Sequence, residues 1–397
     1  MSMEKKKNIF VGFSFGPQQA EKLLEWSKVG LQTAANQYEW GFINGLEEEI
    51  DIISALPIGG YPFGNKKLFY RSCIEETQGG TVKYLSFINL YLIREKIFEE
   101  KIYKYLKRRI DETNQEVVVY VYSLYLPFLK ALYRLKKLKK NFHYCLIVPD
   151  LPGKYGIMRK KRSLRGIKDR VEVKKKFQLA GMADSYVFLT EQMKELFPKK
   201  PYSVIEGFLP QCEFDYTQER CPKTILYTGA LNEAFGIRTL LEAFMRIDDP
   251  EYGLWICGAG EAQKLVEKSA ESDTRIKYMG YLPKHDIALL QTRCDVLINP
   301  RPNIELFTKY SFPSKTMEYL LSGSKVLMYY LDGIDKGYYD FIYTIDEMGV
   351  DSLMQSIRKA CDDKEFFNCK SAKQVEWMKA NKQAVQQVKG IKEIIAK

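Results

Sequence analysis

Residues Cys294–Tyr330, CDVLINPRPNIELFTKYSFPSKTMEYLLSGSKVLMYY, read as strand, loop, helix and strand. Cys294–Asn299 is an apolar run that stops at Pro300, and Lys325–Tyr330 is a second apolar run. Between them Thr316–Ser322 carries a helical pattern, and Gly323 closes it. Two strands joined by a helix make a right-handed crossover, and therefore a parallel pair. Parallel sheets take their ligands at the C-terminal ends of strands. The loop that begins at Asn299 is thus where chemistry is expected.

The residue types in that loop suit an anion. Pro313 fits a first helical turn, where its missing N–H is no loss, and Ser311 is a candidate cap. Ser314, Lys315 and Thr316 follow, so that free backbone N–H groups, the helix dipole and a lysine would converge. Arg301 can grip the same anion with two parallel N–H bonds. Glu318 stands three residues after Lys315, on a nearby face, where a carboxylate can accept the two hydroxyls of a ribose. The plain alternative is a capped helix with a surface Lys315–Glu318 pair. Two glycine turns favour the site: Thr228-Gly229-Ala230-Leu231 and Gly258–Glu261 end earlier strands and would ring the same mouth, although glycine after a strand is also an ordinary turn.

The same alternation extends in both directions. Before the quoted stretch come strands at Thr224–Gly229, Tyr252–Gly258 and Ile276–Gly280, with a helical pattern at Gly236–Met245. A separate run occupies the first half. Its strands are Asn8–Phe15, Glu49–Ala55, Glu116–Tyr122, Phe142–Val148 and Ser185–Thr190, and its helices include Pro17–Ala35 and Ser86–Arg109. Two such runs in 397 residues predict two Rossmann-like domains, with the active site in the cleft between them. The expected divisions are 1–206, 207–370 and a C-terminal helix over 371–397 that packs back on the first domain. Gly12, Ser14 and Asp150 fall at strand ends of the first domain and are candidate acceptor contacts; turn residues would look the same.

Composition excludes several classes. The eight cysteines form no CxxC pair and several lie in apolar strands, so neither a disulfide framework nor a zinc site is expected. Only His143 and His285 are available for histidine chemistry. No uncharged run is long enough to span a bilayer, and Ile9–Phe15 reads as a buried strand rather than a signal-peptide core; a cytoplasmic protein is expected. The net charge of +11 calls for an anionic partner. Eleven Lys/Arg crowd into residues 154–176, and Leu132–Lys140 interleaves leucines with basic residues. An anionic membrane surface is a candidate partner for these clusters, and a solvated basic face is the alternative. Nucleic acid is disfavoured, because no reader motif accompanies the charge.

From Phe312 to Gly323 the sequence, Phe-Pro-Ser-Lys…Glu-Tyr-Leu…Gly, resembles the nucleotide-binding domain of retaining GT-B glycosyltransferases of the family-4 kind (glycosyl transferases group 1), in particular those of capsule, exopolysaccharide and lipopolysaccharide assembly. Tyr227-Thr228-Gly229, Gly258-Ala259-Gly260-Glu261, Tyr278–Pro283 and Leu297–Arg301 support the likeness, which spans about 205–365 and fades in the first half. It implies a GT-B fold and a nucleoside-diphosphate sugar, UDP- or GDP-linked, as donor. The acceptor would be a saccharide or a polyprenyl-diphosphate-linked sugar. Transfer would proceed with retention, without metal or other cofactor.

By the same likeness Glu318 would hold the ribose, Ser314, Lys315 and Thr316 the diphosphate, and Gly280, Tyr281 and Leu282 the base. Gly229 and Asn299 would also border the donor. Arg301 and Lys315 would stabilise the leaving group. There are departures from the pattern. Ala230 and Phe235-Gly236 stand where relatives carry an Arg and a Lys, and Tyr310 stands where many carry a glutamate, with Glu305 out of register. A non-catalytic sugar-nucleotide-binding scaffold is the alternative those departures keep open. A nucleoside-diphosphate-sugar epimerase would need more acidic and histidine groups at the diphosphate.

Overall fold

The computed structural model describes residues 6–153, 164–210, 212–304 and 306–396. The chain divides into two compact units: Met1–Phe208 with Ala384–Lys397, and Leu209–Gln383.

The first unit contains β1 (Lys7–Gly12), β2 (Ile50–Ser54), β3 (Phe69–Tyr70), β4 (Cys73–Thr77), β5 (Gly80–Tyr84), β6 (Phe87–Ile88), β7 (Val117–Tyr122), β8 (His143–Val148), β9 (Ser185–Phe188) and β10 (Tyr202–Val204). Eight of them form one sheet in the order β10-β9-β8-β7-β1-β2-β5-β4. Only the β4–β5 pair is antiparallel, and β3 and β6 make a separate ribbon. Every residue of β7, VVVYVY, is buried, as expected of a central parallel strand covered on both faces. The chain leaves β1 for β2 on one side and later returns to β7 on the other. That reversal opens a crevice at the C-terminal ends of β1 and β7.

The second unit contains β11 (Cys221–Thr228), β12 (Gly253–Cys257), β13 (Ile276–Gly280), β14 (Cys294–Asn299), β15 (Lys325–Tyr329) and β16 (Ile342–Ile345), in the order β13-β12-β11-β14-β15-β16. All neighbours are parallel. The order reverses between β11 and β14, so this unit's crevice lies where β14 runs into Pro300 and Arg301. Both units are Rossmann-like, the architecture of a GT-B fold. Cys145, Cys257 and Cys294 are buried and unbridged, acting as small hydrophobes.

Three expectations need correction. The helix predicted over Pro17–Ala35 is two, Pro17–Trp26 and Thr33–Leu46. Ser27 interrupts it by taking the Val29 N–H on its hydroxyl, at 3.2 Å, in competition with the helix ladder. The terminal segment 371–397 is likewise two helices, one in each unit. Ser371–Asn381 stays in the second, where Gln374 donates to the Leu320 and Ser324 carbonyls at 2.7 and 3.1 Å. Ala384–Ala396 belongs to the first, where Gln387 donates to Gly207 O at 3.2 Å. Finally, much of the basic stretch Leu132–Lys140 is engaged within the unit, although Leu138 is exposed. Leu132 and Leu135 are fully buried along the helix Leu126–Lys137, while Arg134, Lys136 and Lys140 pair with Glu100, Asp184 and Asp111. Residues 154–163 of the second basic cluster lie outside the described residues, as does Glu305.

Candidate functional site

The crevice of the second unit is shaped by glycines. Gly229 and Gly258, with φ of 153° and 144°, follow β11 and β12 so closely that a Cβ on Gly258 would meet the Gly229 carbonyl at 1.8 Å. Only glycine tolerates both the dihedral and the approach. The loops are then bonded in file: Gly229 N–H donates to Cys257 O at 3.0 Å, and Gly258 N–H to Gly280 O at 2.8 Å. Gly236 packs against Pro300 in the same manner, a Cβ there falling 2.1 Å from the Pro300 oxygen. Gly280, with φ of 66°, has open space where a Cβ would point, and Tyr281 beside it is 85% exposed. Asn299 is half-buried at the end of β14.

The helix after this crevice is Lys315–Leu321. Tyr319 locks it to the end of β11, its hydroxyl accepting the Thr228 N–H at 2.9 Å and donating to Thr228 O at 3.2 Å. On the solvent side Lys315 Nζ donates to Glu318 Oε2 at 2.6 Å, with both side chains partly exposed. The other Glu318 oxygen takes no hydrogen bond from the described residues. Arg301, 7% exposed, donates from Nη2 to Ser311 Oγ at 2.8 Å, and its guanidinium lies 5.5 Å from the Phe235 ring. Burial lowers its pKa to about 10, which still leaves it a cation at neutral pH. Ser311 therefore serves Arg301 and does not cap the helix. Ser314 is exposed at the N-cap position. Thr316 is turned inward: its N–H donates to Pro313 O at 2.8 Å and its hydroxyl faces the Met328 sulfur at 3.9 Å.

Two neighbours escaped the sequence reading. Burial, then Glu318, push the Cys212 thiol up to about 11, against the opposing effect of Lys315 and Lys284. Cys212 therefore lies within electrostatic reach of Glu318, Lys315 and Lys284. Lys284 begins the helix after Pro283, a position whose only sequence signal is a lysine four residues past Gly280.

Residues 214–382, nearly the whole of the second unit, match the family described as "Glycosyl transferases group 1". The chain is a glycosyltransferase. Solved structures agree on the fold across its full length. A trehalose-6-phosphate synthase from Burkholderia multivorans superposes with a TM-score of 0.63 at 10% identity, covering 99% of this chain and 97% of that one. The pneumococcal O-GlcNAc transferase GtfA, solved with UDP and GlcNAc, gives 0.58 at 11% identity over 100% of both chains. Anabaena HepE, solved with UDP, gives 0.60 at 14% identity over 98% and 99%. No curated protein sequence matches the chain.

In this glycosyltransferase the first unit arranges the predicted acceptor contacts in an unexpected way. Ser14 is fully buried and donates to Glu39 Oε2 at 2.5 Å, while the Phe13 N–H donates to the same oxygen at 2.9 Å. Gly12 leaves room for that carboxylate, since a Cβ there would fall 2.3 Å from Glu39 Oε2. The loop after β1 is thus moulded around Glu39, and Ser14 spends its hydroxyl internally. Burial raises the Glu39 pKa to about 8 against the pull of Ser14 and the backbone. Glu75 anchors the loop's far end, accepting the Gln18 N–H at 2.9 Å and the Tyr84 hydroxyl at 2.6 Å. Asp150 is solvent-accessible after β8, yet enough protein surrounds its carboxyl to raise its pKa. Ser123, immediately after β7, holds a positive φ of 77°, the kind of backbone strain that collects at functional sites.

Proposed function

We propose that this glycosyltransferase moves a sugar from a nucleoside-diphosphate sugar to a saccharide acceptor carried on a polyprenyl diphosphate, at the cytoplasmic face of a membrane, in the building of a cell-surface polysaccharide. The observation that carries the donor half is that a buried Arg301 and the Lys315–Glu318 pair lie on one connection, between β14 and β15, which leaves the β11–β14 crevice. A buried arginine and a lysine supply the charge that a leaving diphosphate develops, without calling on a metal. Glu318, with one oxygen open, suits a ribose diol. Gly229, Asn299 and Ser314 border the same mouth, and Gly280, Tyr281 and Leu282 offer an open shelf for a base. Thr316 would act by holding the helix rather than by touching phosphate. UDP is the first nucleotide to test, since GtfA and HepE were each solved with it.

Catalysis would be electrostatic. Cations fixed before the reaction stabilise the departing diphosphate at no reorganisation cost, and a single such donor is typically worth about 3–4 kcal/mol. Retention of the anomeric configuration is proposed on the family likeness alone. On the acceptor side, Gly12 and Asp150 at the first unit's crevice are the contacts to test, with Ser14 acting through Glu39. The experiment is incubation with a panel of UDP- and GDP-sugars, followed by detection of released nucleoside diphosphate and by the anomeric configuration of the product. Release from none of them would overturn the reading.

A further inference from the structure

The helix Tyr91–Asp111 buries one stripe, Phe98, Ile102, Leu106 and Ile110, as a surface helix should. Its first two turns break the rule on the outer side. Tyr91, Leu92 and Ile93 are 55%, 69% and 46% exposed. An open groove of about 590 Å³ runs along this side between Leu92, Ile93, Ile97 and the stems of Lys96, Lys101 and Lys104. The loop beside it behaves alike: Phe63 is 90% exposed and Phe69 is 62% exposed. Asn89 joins the two. Its backbone carbonyl accepts the Tyr61 N–H at 3.1 Å, and its amide donates to Gly59 O and Lys67 O at 3.0 and 3.3 Å. Arg94 adds a bond to Ile58 O at 2.9 Å. Two segments far apart in sequence, each exposing large apolar side chains, are thereby tied together through Asn89 and Arg94.

Lysines outnumber carboxylates around this surface: Lys96, Lys101 and Lys104 line the groove, against Glu100. Glu99 pairs with Lys130 and Arg134, and Glu100 pairs with Arg134 of the helix behind, which offsets their charge; Glu95 acts on Tyr91. Lys96 and Lys104 hold no salt bridge among the described residues. Lys28 and Lys66 donate only to the carbonyls of Pro62 and Glu25, and Lys67 lies over the Trp26 ring. Apolar tips ringed by an excess of lysines match an anionic lipid surface. We propose that this face of the first unit seats the enzyme on an anionic bilayer. The helix starts at the C-terminal edge of the β2–β5 strands, so the surface adjoins the side of the sheet where an acceptor would bind. The proposal rests on the lipid-linked acceptor reading and assigns the docking face to residues 61–69 and 90–104, in place of the basic cluster at 132–140.

The test is flotation of the full chain with phosphatidylcholine vesicles, with and without phosphatidylglycerol. Binding is expected only with phosphatidylglycerol, weakening as salt rises. Phe63→Ser/Leu92→Ser and Lys96→Glu/Lys104→Glu should each lower binding by about tenfold or more, while Lys137→Glu/Lys139→Glu should stay near wild type. Thermal melts and nucleotide-sugar hydrolysis in solution, unchanged in all three variants, would show that fold and donor site are intact. Loss of hydrolysis in wild type would sink the donor reading and leave the flotation result to stand by itself. Equal flotation of the Phe63/Leu92 variant and wild type would overturn the proposal. So would equal binding to neutral vesicles, or a concentration-dependent dimer abolished by the same substitutions.

Discussion

Lys315 and Glu318 form a pair that a surface helix could carry for its own sake, at a value of a few tenths of a kcal/mol. What sets them apart is a buried Arg301 on the same connection between β14 and β15. If Lys315 stabilises the leaving diphosphate, Lys315→Ala lowers kcat by about 10²–10³ while leaving the melting temperature near wild type. Steady-state kinetics with the best donor checks this, and wild-type turnover would remove Lys315 from the mechanism. The sequence showed these residues because helix-end chemistry is local. It did not show that Thr316 faces inward or that Ser311 serves Arg301, since spacing does not tell which side of a turn faces the core. Glu39 was invisible for a stronger reason, because its partners Phe13 and Ser14 lie on a different element. Its protonated form is favoured in the folded state, with a pKa near 8 against 4.5. Below pH 4.5 both folded and unfolded chains hold the proton. Above it the unfolded chain releases the proton first, so stability falls with rising pH until about pH 8, by at most about 1.4 kcal/mol per unit. Glu39→Gln should remove that component. Urea unfolding of both proteins across the window should show the gap between them changing with pH, and a constant gap would contradict the assignment.

At the level of elements, the second unit's crevice depends on loops that touch backbone to backbone. Gly258→Ala places a Cβ against the Gly229 carbonyl, which cannot swing aside as a side chain could. The expected cost is about 1–3 kcal/mol in stability, together with weaker nucleotide binding. Unfolding and binding measurements on the same preparation would check both, and an unchanged affinity would mean that the loops do not shape the donor site. The strands themselves were plain from sequence, because buried parallel strands are continuous apolar runs. Helix ends were less so: the Ser27 turn and the division of 371–397 rest on bonds that no periodicity records. Leucine alternating with lysine over Leu132–Lys140 looks alike whether the leucines meet lipid or a core; here Leu132 and Leu135 meet the core, while Leu138 is exposed.

For the whole molecule, two Rossmann-like units follow from the alternation of strands and helices, and the sharp motif of the second unit follows from its loop. The first unit gave little away. Its exposed apolar face joins residue 63 to residues 90–93 through Asn89, a juxtaposition made only by folding. The central claim is that Arg301, Lys315 and Glu318 of the second unit hold a nucleoside diphosphate. The most direct test is a thermal-unfolding titration of wild type, Lys315→Ala and Glu318→Ala with UDP, GDP and ADP. Wild type should be stabilised by one of the three, by about 2.7 kcal/mol at a hundredfold excess over Kd, and both variants should lose most of that gain. No stabilisation by any nucleotide, or an equal gain in the two variants, would contradict the account.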